Sequence, residues 1–242
     1  MAPVARGIAD LFRVVEPFQS AVSATVADHV ADLHEVVESY ARDTAPALVG
    51  HSWGAMLALS YAAAHPASAG PIVLVCSGTF DLAARERLIE NLEQRTDSKL
   101  RLRFKQALTL NNPNERFHAL GQLTLEQYSY DLATTDQEID ESEPGTSSET
   151  WDDMVRLQNE GVYPSAFAAI KSPVLMLHGA VDPHPGEMIR ASLAPYIPRL
   201  EYREWQRCGH YPWLEKSTHK EFFAVLRNWL SNRLSQASGK PG

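Results

Sequence analysis

The sequence predicts an α/β fold, a mostly parallel sheet with helices on both faces and a helical block inserted into it. Three observations carry that prediction. The runs ALVG, PIVLVCSG and PVLMLHG are nearly continuous in Val, Leu and Ile, the composition of strands buried on both faces. Amphipathic helical patterns separate them. From Thr79 to Ala169 the strand-like runs stop, and charged helical patterns such as LAARERLIENLEQ and KLRLRFKQALTL replace them.

Taken in order, the chain opens on a helix-like MAPVARGIADL, and Phe12 to Glu16 (FRVVE) reads as a strand. Thr25-Val-Ala-Asp28 has the form of a capping box, and Val26, Val30, Leu33 and Val37 then fall on one helical face. Strand ALVG, a helix from Trp53 to about Ala64 closed by His65-Pro66, and strand PIVLVCSG follow. The core is therefore expected at 1–78 and 170–234, with residues 79–169 forming a helical lid. Within that block TDQEIDESEPGTSSETWDD, which contains Pro144-Gly145, is expected to be a solvated loop. After it come strand PVLMLHG, a helix near Glu187 to Leu193, strand LEYREW and a last helix striped by Phe222, Val225, Leu226, Trp229 and Leu230. Residues 235–242 read as a frayed tail.

Composition excludes several classes of function. The 242 residues are 44% apolar and 21% charged, with a formal net charge of −8. Asp136 to Asp153 alone holds eight acidic residues and no Lys or Arg, so the remainder is balanced and carries no basic footprint for nucleic acid. No segment is apolar enough to span a membrane, and no signal-peptide pattern opens the chain. Cys76 and Cys208 are far apart without metal-ligand spacing. Together these features predict a reduced, cytoplasmic protein.

In a parallel α/β sheet, ligands bind beyond the carboxyl ends of the strands. After ALV comes Gly50-His51-Ser52-Trp53-Gly54. A serine on so tight a strand-to-helix turn must adopt a strained backbone, which flanking glycines accommodate. The helix that starts there offers its positive end, with the Trp53 N–H as donor to a developing oxyanion. The bland alternative is a glycine-flanked helix start.

Two further strand ends complete a constellation. Asp182 follows PVLMLHG and His210 follows LEYREW. A serine needs a base, and the base needs a carboxylate to fix its tautomer and stabilise its charged form. The order Ser52, Asp182, His210 supplies nucleophile, acid and base from successive strands. Among the competitors, His184 is the rival base and Asp81 the rival acid. His51 is expected to point away from the serine's side as a structural residue, and His178 to pack or bond locally.

GHSWGAMLALSYAAAHP, HGAVDPHP and CGHYPWLE resemble the α/β-hydrolase superfamily, within it the prolyl-iminopeptidase-like branch. The resemblance implies an α/β-hydrolase fold and a serine hydrolase working through an acyl-enzyme, with Ser52 as nucleophile, Asp182 as orienting acid, His210 as general base and a lid over the acyl or leaving-group pocket. It implies a small-molecule or peptide substrate, an ester or an N-terminal proline peptide, and neither metal nor organic cofactor. One scaffold of this kind hosts many chemistries. Haloalkane and epoxide chemistry fit less well, because those relatives place Asp where this chain has Ser52.

The chain also departs from the family's pattern. Relatives have earlier strands and a His-Gly-rich loop that donates the second oxyanion N–H. Relative to them this sequence is N-terminally truncated, with an expected gap in the sheet between FRVVE and ALVG unless FRVVE slides across or another chain fills it. Where relatives carry an Asp-Arg-Gly-like turn, this chain reads EPFQSAVSAT. Loss of one oxyanion donor costs ~10²–10³ in turnover, which leaves open an inactive, hydrolase-fold binding protein or a gene-model fragment.

Overall fold

The computed structural model describes residues 1–20, 22–41, 44–133 and 148–238, with side chains described to residue 236. Its helices and strands alternate as expected: α1 (Ala2–Ile8), α2 (Val26–Tyr40), β1 (Leu48–His51), α3 (Trp53–Ala64) and β2 (Ile72–Val75). Between β2 and β3 lie α4 (Leu82–Arg95), α5 (Ser98–Leu108), α6 (Pro113–Tyr128), α7 (Ser148–Asn159) and a 3-10 turn at Ser165–Ala169. Strand β3 (Val174–Gly179), α8 (Gly186–Leu193), β4 (Leu200–Trp205) and α9 (His219–Ser238) complete the chain.

The four strands are parallel in the order β1-β2-β3-β4. Alternate side chains of the two central strands enter opposite cores, the period-2 rule applied to a sheet covered twice. Ile72, Leu74, Val174 and Met176 join the α2, α3 and α8 side, where Val30, Leu59 and Ile189 are buried. Val73, Val75, Leu175 and Leu177 join the α1 and α9 side, with Val4, Phe222 and Leu226. Every residue of β2 and β3 is buried, whereas the edge strand β4 alternates. That contrast is why LEYREW looks mixed and PVLMLHG does not.

The capping box of α2 forms as predicted: Asp28 N–H donates to the Thr25 hydroxyl at 3.1 Å, and Thr25 N–H to the Asp28 carboxylate at 3.0 Å. One expected strand does not form. Residues 13–20 are neither helix nor strand, and Val14 and Val15 are 36% and 42% exposed. A strand exists only through its ladder, and β1 pairs with β2 alone among the described residues. The segment is instead held by Phe12, which packs against the α1 and α9 core, and by Glu16, which meets the N-terminal amine at 2.8 Å.

Two other expectations shift. The segment from Ser148 to Asp153 is the first part of α7 rather than a loop, because it has a partner: Thr150 is buried against His29 at 3.2 Å, and Asp153 accepts the Val26 N–H at 2.9 Å. Residues 134–147 of the acidic stretch lie outside the described residues. Helix α9 runs through Ser238, so the expected tail begins as helix; residues 239–242 lie outside the described residues. No helix among the described residues is long and apolar enough to cross a membrane.

Candidate active site

The turn from β1 into α3 places Ser52 at φ 53°, ψ −117°, a conformation that costs a non-glycine residue on the order of 1–3 kcal/mol. The surroundings over-determine it. Ser52 N–H donates to the Val75 carbonyl at 3.0 Å, tying the turn to β2, and the Ser52 carbonyl receives Ala55 N–H at 3.1 Å. A Cβ on Gly50 would stand 2.2 Å from the Gly54 carbonyl oxygen, so only glycine fits there. Gly54 is different from expectation: a Cβ there meets nothing within 4 Å. The turn needs one of its two glycines for space.

Asp182 lies in the turn after β3, fully buried, with its N–H bonded to the Gly179 carbonyl at 3.0 Å. His210 follows β4 and donates from Nδ1 to Asp182 Oδ2 at 2.7 Å. Burial lowers the His210 pKa below the usual histidine value, and Asp182 offsets only part of that, so the imidazole is neutral at pH 7. For Asp182, burial works to raise the pKa, but the charges of His210 and His184 and their hydrogen bonds outweigh it and hold the carboxyl well below the usual carboxylate range.

The rival base shares this carboxylate. His184 Nδ1 sits 3.0 Å from Asp182 Oδ1, the His184 backbone N–H also donates to Oδ1 at 2.9 Å, and the two imidazoles stack with centroids 4.7 Å apart. The rival acid is elsewhere: the Asp81 carboxylate caps α4, accepting Ala84 N–H at 2.8 Å. His178, fully buried, lies 3.0 Å from the His184 carbonyl, a local bond as expected. His51 Nε2 donates to the His210 carbonyl at 2.9 Å, and the two rings stand 4.5 Å apart, which fastens the His210 loop to the residue before Ser52. Burial first, then His210, keeps His51 well below the usual histidine pKa.

The structure thus brings Asp182 and His210 into contact and carries Ser52 to the same end of the sheet. Among the described residues the Ser52 hydroxyl makes no hydrogen bond to His210. The Trp53 N–H is the first of α3 and has no intrahelical acceptor, so it is available to an anion.

Three residues that the motifs did not single out complete the surroundings. Cys76 immediately follows β2 at φ 46°, one strand over from Ser52, and burial followed by the Asp182 charge pushes its thiol pKa well above the usual value. Tyr128 stands edge-on to His210 at 5.3 Å, its phenol pushed to about 12 by burial and then by Asp182. Glu215 is buried under the His210 loop. Cys76 and Glu215 were in view within PIVLVCSG and CGHYPWLE; Tyr128 had no signal, since only the fold carries α6 to this rim. Cys76, His178 and Asp182, and likewise Asp182, His184 and His210, hold potential donor atoms within 4.8 Å of one another. In the second group the closeness is that of the imidazole bonds to the two Asp182 oxygens.

Residues 10–225 match the Alpha/beta hydrolase family. No curated protein matches the chain significantly. Among solved structures, a thermophilic esterase from Thermogutta terrifontis superposes with a TM-score of 0.58 at 17% identity, covering 96% of this chain and 84% of that one. The proline iminopeptidase of Mycobacterium smegmatis gives 0.56 at 18% identity, covering 88% and 74%. The monoacylglycerol lipase of Paleococcus ferrophilus gives 0.56 at 15% identity, covering 86% and 76%. At these identities the likeness is one of fold.

Proposed function

The chain belongs to the Alpha/beta hydrolase family, and from that premise we propose that it is a serine hydrolase cleaving an ester or amide through an acyl-enzyme. The observation that carries the reading is the 2.7 Å bond between His210 Nδ1 and buried Asp182, at the sheet end where Ser52 is held at positive φ. With Nδ1 committed to the carboxylate, the neutral His210 presents Nε2 as the base.

In this reading Ser52 Oγ attacks the carbonyl carbon as His210 Nε2 takes its proton, and Asp182 stabilises the imidazolium. The Trp53 N–H receives the oxyanion. Collapse of the tetrahedral intermediate passes the proton from His210 to the leaving group. Water, deprotonated by His210, then attacks the acyl-Ser52 ester, and His210 returns that proton to Ser52 Oγ as the acid is released. Residues 79–169 serve as the lid over the acyl or leaving-group pocket. The structural neighbours are named as an esterase, a peptidase and a lipase, which supports carbonyl attack as the common step and leaves small esters and N-terminal proline amides as the substrates to try.

A second reading, a hydrolase-fold protein that binds acyl or peptide ligands without turnover, draws on the missing Ser52–His210 hydrogen bond. Hydrolysis of p-nitrophenyl esters and proline naphthylamide by the wild type and His210→Ala separates the two. Turnover that depends on His210 supports the enzyme; binding with no His210-dependent turnover supports the alternative.

A further inference from the structure

Glu215 is fully buried, and its neighbours are unusual for a carboxylate. Oε1 accepts the N–H groups of Tyr130 at 2.8 Å and Gly209 at 2.9 Å, and Oε2 accepts Asp131 N–H at 2.5 Å. All three donors are backbone. A buried carboxylate with no donor nearby would be strongly penalised, and charge-assisted bonds of this kind are about twice as strong as neutral ones.

The placement of those donors matters more than their number. Tyr130 and Asp131 belong to the segment that leaves α6, the helical insertion, whereas Gly209 immediately precedes His210. The two segments are also joined by backbone bonds: His210 N–H to Tyr128 carbonyl at 2.9 Å, Ala133 N–H to Leu214 carbonyl at 2.8 Å and Lys216 N–H to Asp131 carbonyl at 2.9 Å. Only the first of these touches His210, and Glu215 sits beside it, holding Gly209 on one side and Tyr130 on the other.

We propose that Glu215 is a positioning residue, an anionic clamp that fixes the His210 loop against the exit of the helical insertion and so sets where the imidazole stands relative to Ser52. The inference rests on the reading of His210 as the base. Its chemistry is specific to a carboxylate: four lone-pair sites converge on three N–H groups that no neutral side chain of the same size satisfies. In Glu215→Gln the amide NH₂ replaces one oxygen and faces an N–H donor, so at least one of the three bonds is lost and the charge that strengthens the other two is removed.

Two further variants separate the clamp from general stability. Gly209→Ala is the control for an opened seam, because its Cβ would meet the Tyr128 carbonyl oxygen at 2.3 Å and the Ser129 Cα at 2.7 Å whatever Glu215 does. Lys216→Met removes the exposed 2.9 Å ion pair to Asp131 on the same seam without touching Gly209. The full-length chain is assayed for kcat and KM on an ester substrate, and the His210 Nδ1–H resonance is followed by NMR in a Ser52→Ala background, where no hydrolysis is needed. Glu215→Gln is expected to lower kcat by up to ~10²-fold with KM little changed, as misplacing a reacting group by about 1 Å does, and to shift the His210 Nδ1–H resonance. Lys216→Met is expected to do neither. If Glu215→Gln does not fold, Glu215→Asp, which keeps the charge but withdraws it by one methylene from the three N–H groups, decides by the same two readouts, and if the wild type shows no turnover, the resonance alone decides. An unmoved resonance, or an equal loss of kcat in Lys216→Met, overturns the proposal.

Discussion

The imidazole of His184 lies against that of His210, 19° from parallel, and each ring directs its Nδ1 to a different oxygen of one carboxylate. Asp182 therefore divides its hydrogen-bonding capacity between two histidines, and any positive charge that develops on His210 is felt by a neighbour stacked upon it.

That relationship predicts a direction for His184→Asn. His184 lowers the His210 pKa, and Asp182 raises it. Removing His184 takes away the first effect and frees Asp182 Oδ1, which strengthens the second, so both changes raise the His210 pKa. With His210 as the proposed base, activity requires its neutral form, so the acid limb of the kcat/KM profile moves to higher pH in the variant. A limb that stays put or moves lower contradicts this.

Asp182→Asn removes the charge that stabilises the imidazolium and alters the tautomer of His210. Turnover is expected to fall by about 10⁴-fold, as for the equivalent change in a serine triad. Asp81→Ala, which deletes only the cap of α4, costs about 1 kcal/mol of stability and leaves turnover per folded molecule intact. Comparing kcat and the urea midpoint of the two variants checks the assignment of the acid.

Acidification has a worked-out sign. His51, His178 and His210 are buried with pKa values below the histidine reference of 6.5, in each case with burial as the largest cause. Between that reference and their folded values the unfolded chain binds more protons, so stability is complete above about pH 6.5 and declines as pH falls below it. Asp182 adds a second loss at lower pH, present above the unfolded carboxylate value and surrendered as its depressed folded pKa is crossed. Thermal melts between pH 7.5 and pH 5 are expected to show Tm falling with pH.

The two glycines flanking Ser52 are not equivalent. Gly50→Ala forces a Cβ against backbone and is expected to cost about 1–3 kcal/mol or more, with loss of activity. Gly54→Ala meets nothing and gains helix propensity of up to about 1 kcal/mol, so its melting temperature stays level or rises. Equal destabilisation by both contradicts the geometry of the turn.

Strands buried on both faces were the most legible part of the sequence, since ALVG, PIVLVCSG and PVLMLHG have no reading on a solvated surface. The Ser, Asp, His order was visible because each residue follows a strand, and strand ends of a parallel sheet share one rim. FRVVE failed for the complementary reason: its apolar run is necessary for a strand, but pairing is a property of the neighbour, and no ladder among the described residues reaches it. Local pattern also concealed α7, whose acidic first turn is stabilised by His29 and Val26, more than a hundred residues away in sequence. His184 was recognised as a rival base, but that it would share the same carboxylate could not be read from a spacing of two residues.

The central claim is that Ser52 is a nucleophile activated by His210, and covalent labelling tests it most directly. Intact-mass and peptide mapping after exposure to a fluorophosphonate are predicted to give a single adduct on Ser52, absent in Ser52→Ala and formed far more slowly in His210→Ala. Equal labelling of the wild type and Ser52→Ala, or an adduct rate indifferent to His210, would contradict it.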